Sequence, residues 1–508
     1  MTSIPAAWSI SNGLLLPTLS FGGIFTRETW QKILAKPKQL MTDYRQSIQT
    51  VSVYAHNQEV DSSDYKLPGL VKVLHSCPRL TVLHLNLPVI NDDGLWSISA
   101  SCKQLVALSL VSGSHSSGFV SDDGLMAVVK NCRHIKHLRL KSARNAFTEW
   151  GFTERGFRAV AEAYRGQLRT FALEWTGLGL ARLVHVDTED DKRIKEALGE
   201  IITANPQLRS LQLDWPVAID DTLQVAADTL TKLNHLRLGN IINTRAASTL
   251  LELNPHLESV TLTELPTTNP IADFLTPLLP HANLTTLTLD GIGFLSTLLP
   301  TLAQFPNLTH IHATPSRRAA SVHHHLVDAH VALIAQACHN LQSLTVPIAT
   351  DGPLLKIAGH CPHLTHLDLR DGKDITDSAL TLLVRRCTRV TSLHLGALQN
   401  TRITDASTTQ LAHSLPHLQH LSLPFANNNI THRTLAALAE HCPDLETLMN
   451  VPARVGYGAL VKYVPMIRRL GALGLCVGAG GWKEQLGREE VEELRARCGR
   501  LRSVTYIG

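Results

Sequence analysis

A short leucine pattern recurs along almost the whole chain and constrains its fold more than any other feature. Leu80-Thr-Val-Leu83-His-Leu85 has the form L-x-x-L-x-L, and a second copy begins 25 residues later at Leu105. Further copies begin at Ile135, Leu168, Leu208, Leu233, Leu257, Leu284, Leu308, Leu341, Leu364, Val390, Leu418 and Leu445, and weaker ones at Ile48, Ile467 and Leu501. These seventeen copies have a mean period of about 28 residues, which is typical of units that stack because none can bury its apolar face alone.

Each unit reads as a strand followed by a helix. The alternation L-x-L has a period of two, which indicates a short strand with one buried face. The segments that begin at Asp92 and at Thr376 have apolar residues at three- and four-residue spacing, after a side chain able to cap a helix. The sequence therefore predicts an α/β solenoid with parallel strands on the concave face of an arc and helices on the convex face.

Eight of the nine cysteines occupy one position in the unit, three residues before its first leucine. They are Cys77, Cys102, Cys132, Cys338, Cys361, Cys387, Cys442 and Cys498, and only Cys476 does not fit. In other units the same position holds Asn205, Asn254, Phe305 or Leu415. This set indicates a compact side chain buried where the helix turns into the strand, with a metal or redox role as the less favoured alternative.

The full unit resembles a known type of repeat. C-P-x-L-x-x-L-x-L followed by I-T/S/N-D, as at Cys361 with Ile375-Thr-Asp and at Cys77 with Ile90-Asn-Asp, is similar to the cysteine-containing leucine-rich repeat. The resemblance covers residues 48–508 and implies a leucine-rich-repeat solenoid, a right-handed horseshoe of about 17 repeats. Insertions interrupt it near 141–167, 174–207, 314–340 and 472–500. The third insertion contains His323-His-His325, which we interpret as a solvated loop.

The same resemblance carries an expectation about function. This repeat type is best known in F-box proteins, in which the repeats select a substrate for a cullin-RING ubiquitin ligase. The resemblance therefore implies a substrate-recognition subunit or adaptor of an SCF-type ligase that acts in protein degradation. A binding scaffold unrelated to ubiquitin is the alternative, because a fold does not fix a function.

Residues 1–47 precede the repeats and allow two interpretations. They contain Leu16-Pro17 but lack the acidic first helix of an F-box, and the ranges 26–35 and 38–45 predict two short amphipathic helices. These helices either form an N-terminal cap over the first repeat or are a degenerate or truncated F-box with its linker. In the second case a ligase adaptor would bind their apolar residues, Trp30, Ile33, Leu34 and Leu40.

The strands also predict a binding surface. In L1-x-x-L4-x-L6 the side chains at positions 4 and 6 enter the core, and those at positions 3 and 5 point outward. The outward residues are small and polar with recurrent histidines, and with nearby cations they give these candidates for binding a protein partner: His137, Arg139, Lys141, His235, Arg237, His310, His312, His366, Arg370, His394 and His420. Such a weakly basic groove suits an acidic or phosphorylated peptide, most strongly below about pH 6.5. Alternatively, these residues are simply tolerated on an exposed polar face.

Composition and the lack of other motifs narrow the remaining classes of function. A formal charge of +4 on 508 residues gives no electrostatic case for a nucleic-acid or membrane-surface binder. The chain has no run of about 18 apolar residues, no G-x-S-x-G or H-E-x-x-H motif and no phosphate-binding loop. We therefore expect a non-enzymatic protein without cofactor or metal, in the cytoplasm or nucleus, where thiols stay reduced.

Overall fold

The computed structural model describes most of the chain. The described residues are 7–11, 14–22, 49–54, 71, 74–75, 77–85, 91–112, 120–142, 151–174, 188–214, 219–239, 241, 244–263, 275–279, 281–292, 295–315, 324–369, 372, 374–395, 402–425, 427–476, 482, 486–501 and 503–507. The chain divides into two compact units, Met1–Leu257 and Glu258–Gly508.

The first unit alternates strands and helices. Its strands are β1 (Ala7–Ser11), β2 (Leu14–Gly22), β3 (Thr50–Tyr54), β4 (Val82–Leu85), β5 (Ala107–Ser112), β6 (His137–Ser142), β7 (Thr170–Glu174), β8 (Ser210–Asp214) and β9 (His235–Gly239). Its helices are α1 (Asp92–Ser101), α2 (Asp122–Asn131), α3 (Glu154–Ala163), α4 (Glu189–Ala204), α5 (Asp220–Thr229) and α6 (Thr244–Glu252). Strands β2 to β9 pair in parallel in chain order, and β1 pairs antiparallel with β2.

The second unit repeats this plan. Its strands are β10 (Ser259–Thr263), β11 (Thr286–Ile292), β12 (His310–Pro315), β13 (Ser343–Thr345), β14 (His366–Asp368), β15 (Ser392–His394), β16 (His420–Ser422), β17 (Thr447–Val451), β18 (Ala472–Cys476) and β19 (Ser503–Ile507). They also pair in parallel in chain order. The helices are α7 (Leu295–Leu302), α8 (His324–Ala337), α9 (Asp351–His360), α10 (Asp377–Arg386), α11 (Asp405–Ser414), α12 (His432–His441), α13 (Tyr457–Tyr463) and α14 (Arg488–Arg497).

The predicted α/β leucine-rich-repeat fold is confirmed. The strands from β3 to β19 number seventeen, one for each predicted copy of the pattern. In the repeat of β14, Leu364, Leu367 and Leu369 are at most 2% exposed, so the first, fourth and sixth positions form the core as expected. Parallel pairing aligns Leu344, Leu367 and Leu393 across three strands, which builds a continuous leucine layer between strands and helices.

The cysteine position links successive repeats by hydrogen bonds. The thiol of Cys102 donates to the carbonyl of Cys77, and Cys132 Sγ donates to the carbonyl of Cys102, with S–O distances of 3.6 and 3.5 Å. Tyr164, the C-cap of α3 and four residues before Leu168, takes the corresponding place in the next repeat, and its hydroxyl donates to the carbonyl of Cys132 at 3.0 Å. In these repeats the buried side chain at this position therefore donates a hydrogen bond to the repeat before it. None of the nine cysteines forms a disulfide, all nine are buried, and burial raises the pKa of Cys102 to about 12.

The aspartate of the I-T/S/N-D motif joins neighbouring helices. Asp377 Oδ1 accepts from the backbone N–H of Thr404 at 2.8 Å, and Oδ2 accepts from the Thr404 hydroxyl at 2.6 Å. Thr404 is the N-cap of α11, so the carboxylate of one repeat satisfies N-terminal donors of the next. The equivalent contacts recur from Asp92 to Ser121, from Asp122 to Thr153, from Asp351 to Thr376 and from Asp405 to Thr431.

Three local expectations need correction or addition. The weak copy placed at Ile467 begins instead at Leu470, because β18 places Leu473 and Leu475 in the core while Ile467 occupies the cysteine position. Helix α8 begins at His324, so the histidine run is not entirely a loop. The N-terminal segment contains the β1–β2 hairpin, which the sequence did not predict, and β2 pairs along β3. The two helices expected within 26–45 lie outside the described residues.

Candidate protein-binding surface

The outward-facing side chains of the strands form two rows across each unit. Row 3 contains the third residue of each L-x-x-L-x-L copy, and row 5 contains the fifth. On β14, for example, His366 is exposed, Leu367 is buried and Asp368 is half-buried. The strands therefore bury one face and present the other, as the period-two alternation predicts.

In the first unit, row 5 carries a group of polar and basic residues on β4, β5 and β6. His84, Ser109 and Arg139 are aligned on successive strands β4, β5 and β6. Burial, and then the positive charge of Arg139, lower the pKa of His84. The Ser109 hydroxyl oxygen is buried without a described hydrogen-bond partner, whereas Arg139 is exposed. Three successive strands of row 5 therefore carry an imidazole with a lowered pKa, a buried hydroxyl without a described partner and an exposed guanidinium.

The predicted basic groove of the first unit is partly neutralised by carboxylates. Lys141 Nζ lies 3.2 Å from Glu174 Oε1 on the neighbouring strand, and Arg237 lies 3.9 Å from Asp214. The Asp214 side chain is only 4% exposed, so this carboxylate is largely removed from solvent. Lys141 and Arg237 therefore face anionic neighbours of the same chain, and Arg139 is the predicted cation of this face without a described ion pair.

In the second unit, histidine is the recurrent outward residue of row 3. On row 3, register pairs His310 with Ser343, Ser343 with His366, His366 with Ser392 and Ser392 with His420. The histidines therefore alternate with serines, one histidine on every second strand. All three imidazoles are exposed. Burial lowers the pKa of His366, and the positive charges of His420 and His310 lower it further.

Two of these histidines are oriented by the threonine that precedes them. Thr309 Oγ1 lies 2.8 Å from His310 Nδ1, and Thr365 Oγ1 lies 2.8 Å from His366 Nδ1. Each hydroxyl also donates to a backbone carbonyl of the preceding strand, that of Thr285 at 3.1 Å and that of Gln342 at 2.9 Å. A hydroxyl has one proton, so each threonine can only accept from the imidazole.

This geometry assigns the tautomer of both rings. Nδ1 carries the proton and donates to threonine, which leaves Nε2 unprotonated in the neutral imidazole. Any further proton is taken up at Nε2, which then becomes a hydrogen-bond donor. The threonines were not predicted as site residues. Their signal in the sequence is the Leu-Thr-His tripeptide, which stands at the start of both repeats.

The remaining predicted site residues fall into two groups. His137 and His235 are exposed on row 3 of the first unit, and His312 and His394 are half-buried on row 5 of the second. His137 Nδ1 lies 2.9 Å from the Thr170 hydroxyl. Outside the described residues lie Arg370 and all four candidates for adaptor binding, Trp30, Ile33, Leu34 and Leu40.

Other kinds of site receive no support from the described part of the chain. It contains no group of three or more His, Cys, Asp or Glu side chains arranged to hold a metal ion. None of its helices has the length and apolar character needed to span a membrane.

Comparisons with known proteins give a partial sequence similarity and distant structural likenesses. No family model matches the chain. The F-box protein SKIP1 of Arabidopsis thaliana is 27% identical over 143 residues, which cover 24% of this chain and 47% of that protein. The chain thus matches less than half the length of this relative.

Among solved structures, a chain of the yeast Rad7–Elc1 complex is 17% identical with a TM-score of 0.44, and the likeness covers 88% of this chain and 89% of that one. An internalin of Listeria monocytogenes is 15% identical with a TM-score of 0.37, covering 76% and 88% of the two chains. At these scores the structural likenesses add nothing to what the repeat geometry shows. The chain has a leucine-rich-repeat fold, and over an alignment of 143 residues it is similar in sequence to an F-box protein.

Proposed function

We propose that this protein is a recognition subunit of an SCF-type cullin-RING ubiquitin ligase, which binds a protein destined for degradation through the outward rows of its strands. The observation that carries the ligase link is the sequence match to an F-box protein. This sequence match agrees with the type of repeat, in which a buried cysteine precedes the first leucine and an aspartate follows the strand.

The rows support a role in binding rather than in catalysis. They spread polar side chains over an open strand surface, whereas catalysis needs reacting groups gathered in a water-excluding site. Repeat proteins use such extended surfaces to bind partners. The described rows carry hydroxyls, imidazoles and a few charged groups, which suits a polar peptide or protein surface. We further propose that the protein acts in the cytoplasm or nucleus, where its free thiols stay reduced.

A binding scaffold without a link to ubiquitin is the second candidate. It is favoured by the β1–β2 hairpin, because a hairpin paired along β3 covers the edge of that strand and gives the N-terminal segment a purely structural task. In this case no adaptor binds residues 1–47.

Affinity capture from the source cells separates the two candidates. The full chain is compared with a variant in which Trp30, Ile33, Leu34 and Leu40 are all replaced by alanine, and a third sample carries Arg139→Gln on the strand face. We expect cullin-complex subunits with the wild type and with Arg139→Gln, and their loss with the alanine variant. Equal thermal stability of the three proteins excludes misfolding as the cause. If cullin subunits accompany none of the three while other proteins are captured, the scaffold candidate stands.

A further inference from the structure

The histidines of row 3 in the second unit have a regular separation. His310, His366 and His420 stand on β12, β14 and β16, with one strand between each pair. Neighbouring strands are about 4.8 Å apart, so successive histidines are separated by about 10 Å along the row. A ligand that contacts all three must cross the strands and place its interacting groups at that interval.

The chemistry of the row selects an anionic ligand. Since His310 and His366 donate through Nδ1 to threonine, protonation occurs at Nε2 and creates a charged donor on the side away from that threonine. Carboxylate and phosphate oxygens are the strongest acceptors for such a donor. Strands β12 to β16 contain one carboxylate, Asp368 on row 5, and no lysine or arginine.

The other titratable groups around the row are few. On the strands that carry or flank it they are Asp290, His312, Asp368 and His394, and Glu446 directly precedes β17. The turns that lead into β14, β15 and β16 add His363, Arg389 and His417. Half of these groups are themselves histidines, and three are carboxylates.

Among extended conformations of the ligand, the interval favours polyproline II over a β-strand. An extended β-strand returns a side chain to the same face every two residues, or about 7 Å, which does not match the histidine spacing. A polyproline-II segment returns a side chain to the same face every three residues, at about 3.1 Å per residue, and therefore every 9 Å or so. This repeat is close to the separation of alternate strands.

We propose that the second unit binds an acidic segment in polyproline-II conformation, with a carboxylate or phosphate at every third residue accepting a hydrogen bond from Nε2 of His310, His366 or His420. Ser343 and Ser392, half-buried between the histidines, offer hydroxyls to the backbone of the segment. At His310 and His366 the contact requires the imidazole to take up one proton from solvent, so binding strengthens as the pH falls. The inference rests on the proposed role of the strand face in protein recognition, but not on the link to ubiquitin.

A set of peptides of equal composition tests the spacing. Anionic residues are placed at every second, every third or every fourth position, and the intervening positions contain proline and neutral residues. Binding to the full chain is measured by fluorescence anisotropy at pH 6.0 and 7.5. We expect the every-third peptide to bind at least tenfold more tightly than the other two at pH 6.0. The set is made once with aspartate and once with phosphoserine as the anionic residue. The series that binds more tightly shows whether the partner is acidic by sequence or by modification.

Variants of the protein test the residues. Binding that requires protonation of a histidine strengthens by up to tenfold for each unit by which the pH falls, as long as the free imidazole is mostly neutral. The triple variant H310Q/H366Q/H420Q should therefore lose most of the pH dependence, whereas His432→Gln, an exposed histidine at the start of α12, should retain it. His366→Gln alone should reduce the change in peptide affinity between pH 7.5 and 6.0 about tenfold.

Three results overturn the inference. They are equal affinity for all three spacings, an unchanged pH dependence in the triple variant, and binding of a single-stranded oligonucleotide more tightly than any peptide. The ligase proposal is judged separately, because the capture of cullin subunits depends on residues 1–47 and not on this row. Loss of peptide binding with cullin capture intact would remove only the present inference.

Discussion

The aspartates that join successive helices should contribute to stability far more than ordinary surface carboxylates. Asp405 begins α11, and Thr431 is the N-cap of α12. Asp405 Oδ1 accepts from the Thr431 backbone N–H at 2.9 Å and from the Thr434 hydroxyl at 2.6 Å, and Oδ2 accepts from the Thr431 hydroxyl at 2.6 Å. Replacing Asp405 by alanine leaves these three donors without their acceptor.

The expected cost follows from these contacts. A hydrogen bond to a charged group contributes about 1.5–3 kcal/mol in a buried site, and less where water can replace the lost acceptor. Because Asp405 is half-buried, about 1 kcal/mol for each bond is appropriate, and Asp405→Ala should lower the free energy of unfolding by about 3 kcal/mol. Asp93→Ala, which removes an exposed carboxylate from the first turn of α1, should cost under about 0.5 kcal/mol.

The measurement is urea unfolding of Asp405→Ala, Asp93→Ala, Thr431→Ala and the double variant D405A/T431A. The double-mutant cycle should show a coupling of about 1 kcal/mol or more between Asp405 and Thr431. Hydrogen exchange of peptides from α11 and α12 shows whether the loss is local, since long repeat arrays need not unfold in a single step. A coupling near zero, or equal costs for Asp405→Ala and Asp93→Ala, would refute the reasoning.

The same carboxylate predicts a pH dependence of stability. Burial alone would raise the pKa of Asp405, but the hydrogen bonds from Thr431 and Thr434 outweigh burial and lower it. A carboxyl whose pKa is lower in the folded state contributes stability above its unfolded pKa, near 4, and loses it as the pH falls through the folded pKa. The difference in stability between wild type and Asp405→Ala should therefore be constant at neutral pH and shrink below about pH 4. A difference that grows on acidification would contradict this sign.

Three further predictions concern the two faces of β14, the threonine beside His366 and two buried cysteines. Leu367→Ala should cost about 2–5 kcal/mol by leaving a core cavity, whereas His366→Gln should cost under about 1 kcal/mol; equal shifts of the urea midpoint would mean that the strand faces are reversed. Thr365→Val removes the acceptor of His366 Nδ1, so nitrogen-15 spectra should show His366 protonated at Nδ1 in the wild type only. Burial raises the pKa of Cys102 and Cys361 to about 12, so a thiol reagent at pH 8 should label them only after unfolding, and fast labelling of the native protein would show that these positions open.

Much of the fold could be predicted because its determinants are local in the sequence. A leucine at the first, fourth and sixth positions specifies a strand face and its place in the core without any knowledge of the partner strand. The same local rule failed at Ile467, because Ile467-Arg-Arg-Leu470 satisfies the start of the pattern three residues early. The buried residue before the strand decides the register, and isoleucine in place of cysteine concealed it.

The site was less predictable because its geometry depends on neighbouring strands. That His310 points outward follows from alternation, and the structure shows it exposed. The role of Thr309 does not follow from its own repeat, because its hydroxyl is committed by the carbonyl of Thr285 on the strand before. Nor could the neutralisation of Lys141 be read locally, since Glu174 lies 33 residues further on.

The regular stacking of repeats and the orientation of the surface histidines arise from the same hydrogen bonds. Threonine follows the first apolar residue of the pattern in the repeats of β4, β11, β12, β14 and β15, and each of these hydroxyls donates to the carbonyl directly before the preceding strand. Where a histidine comes next and its Nδ1 meets that oxygen, as at His310 and His366, a hydroxyl already used for stacking also fixes the ring. Side chains on row 3 can therefore vary between serine, valine and histidine without changing the contacts between strands. Recognition on this face can diversify at little cost in stability, because the atoms that join the repeats belong to the neighbouring position.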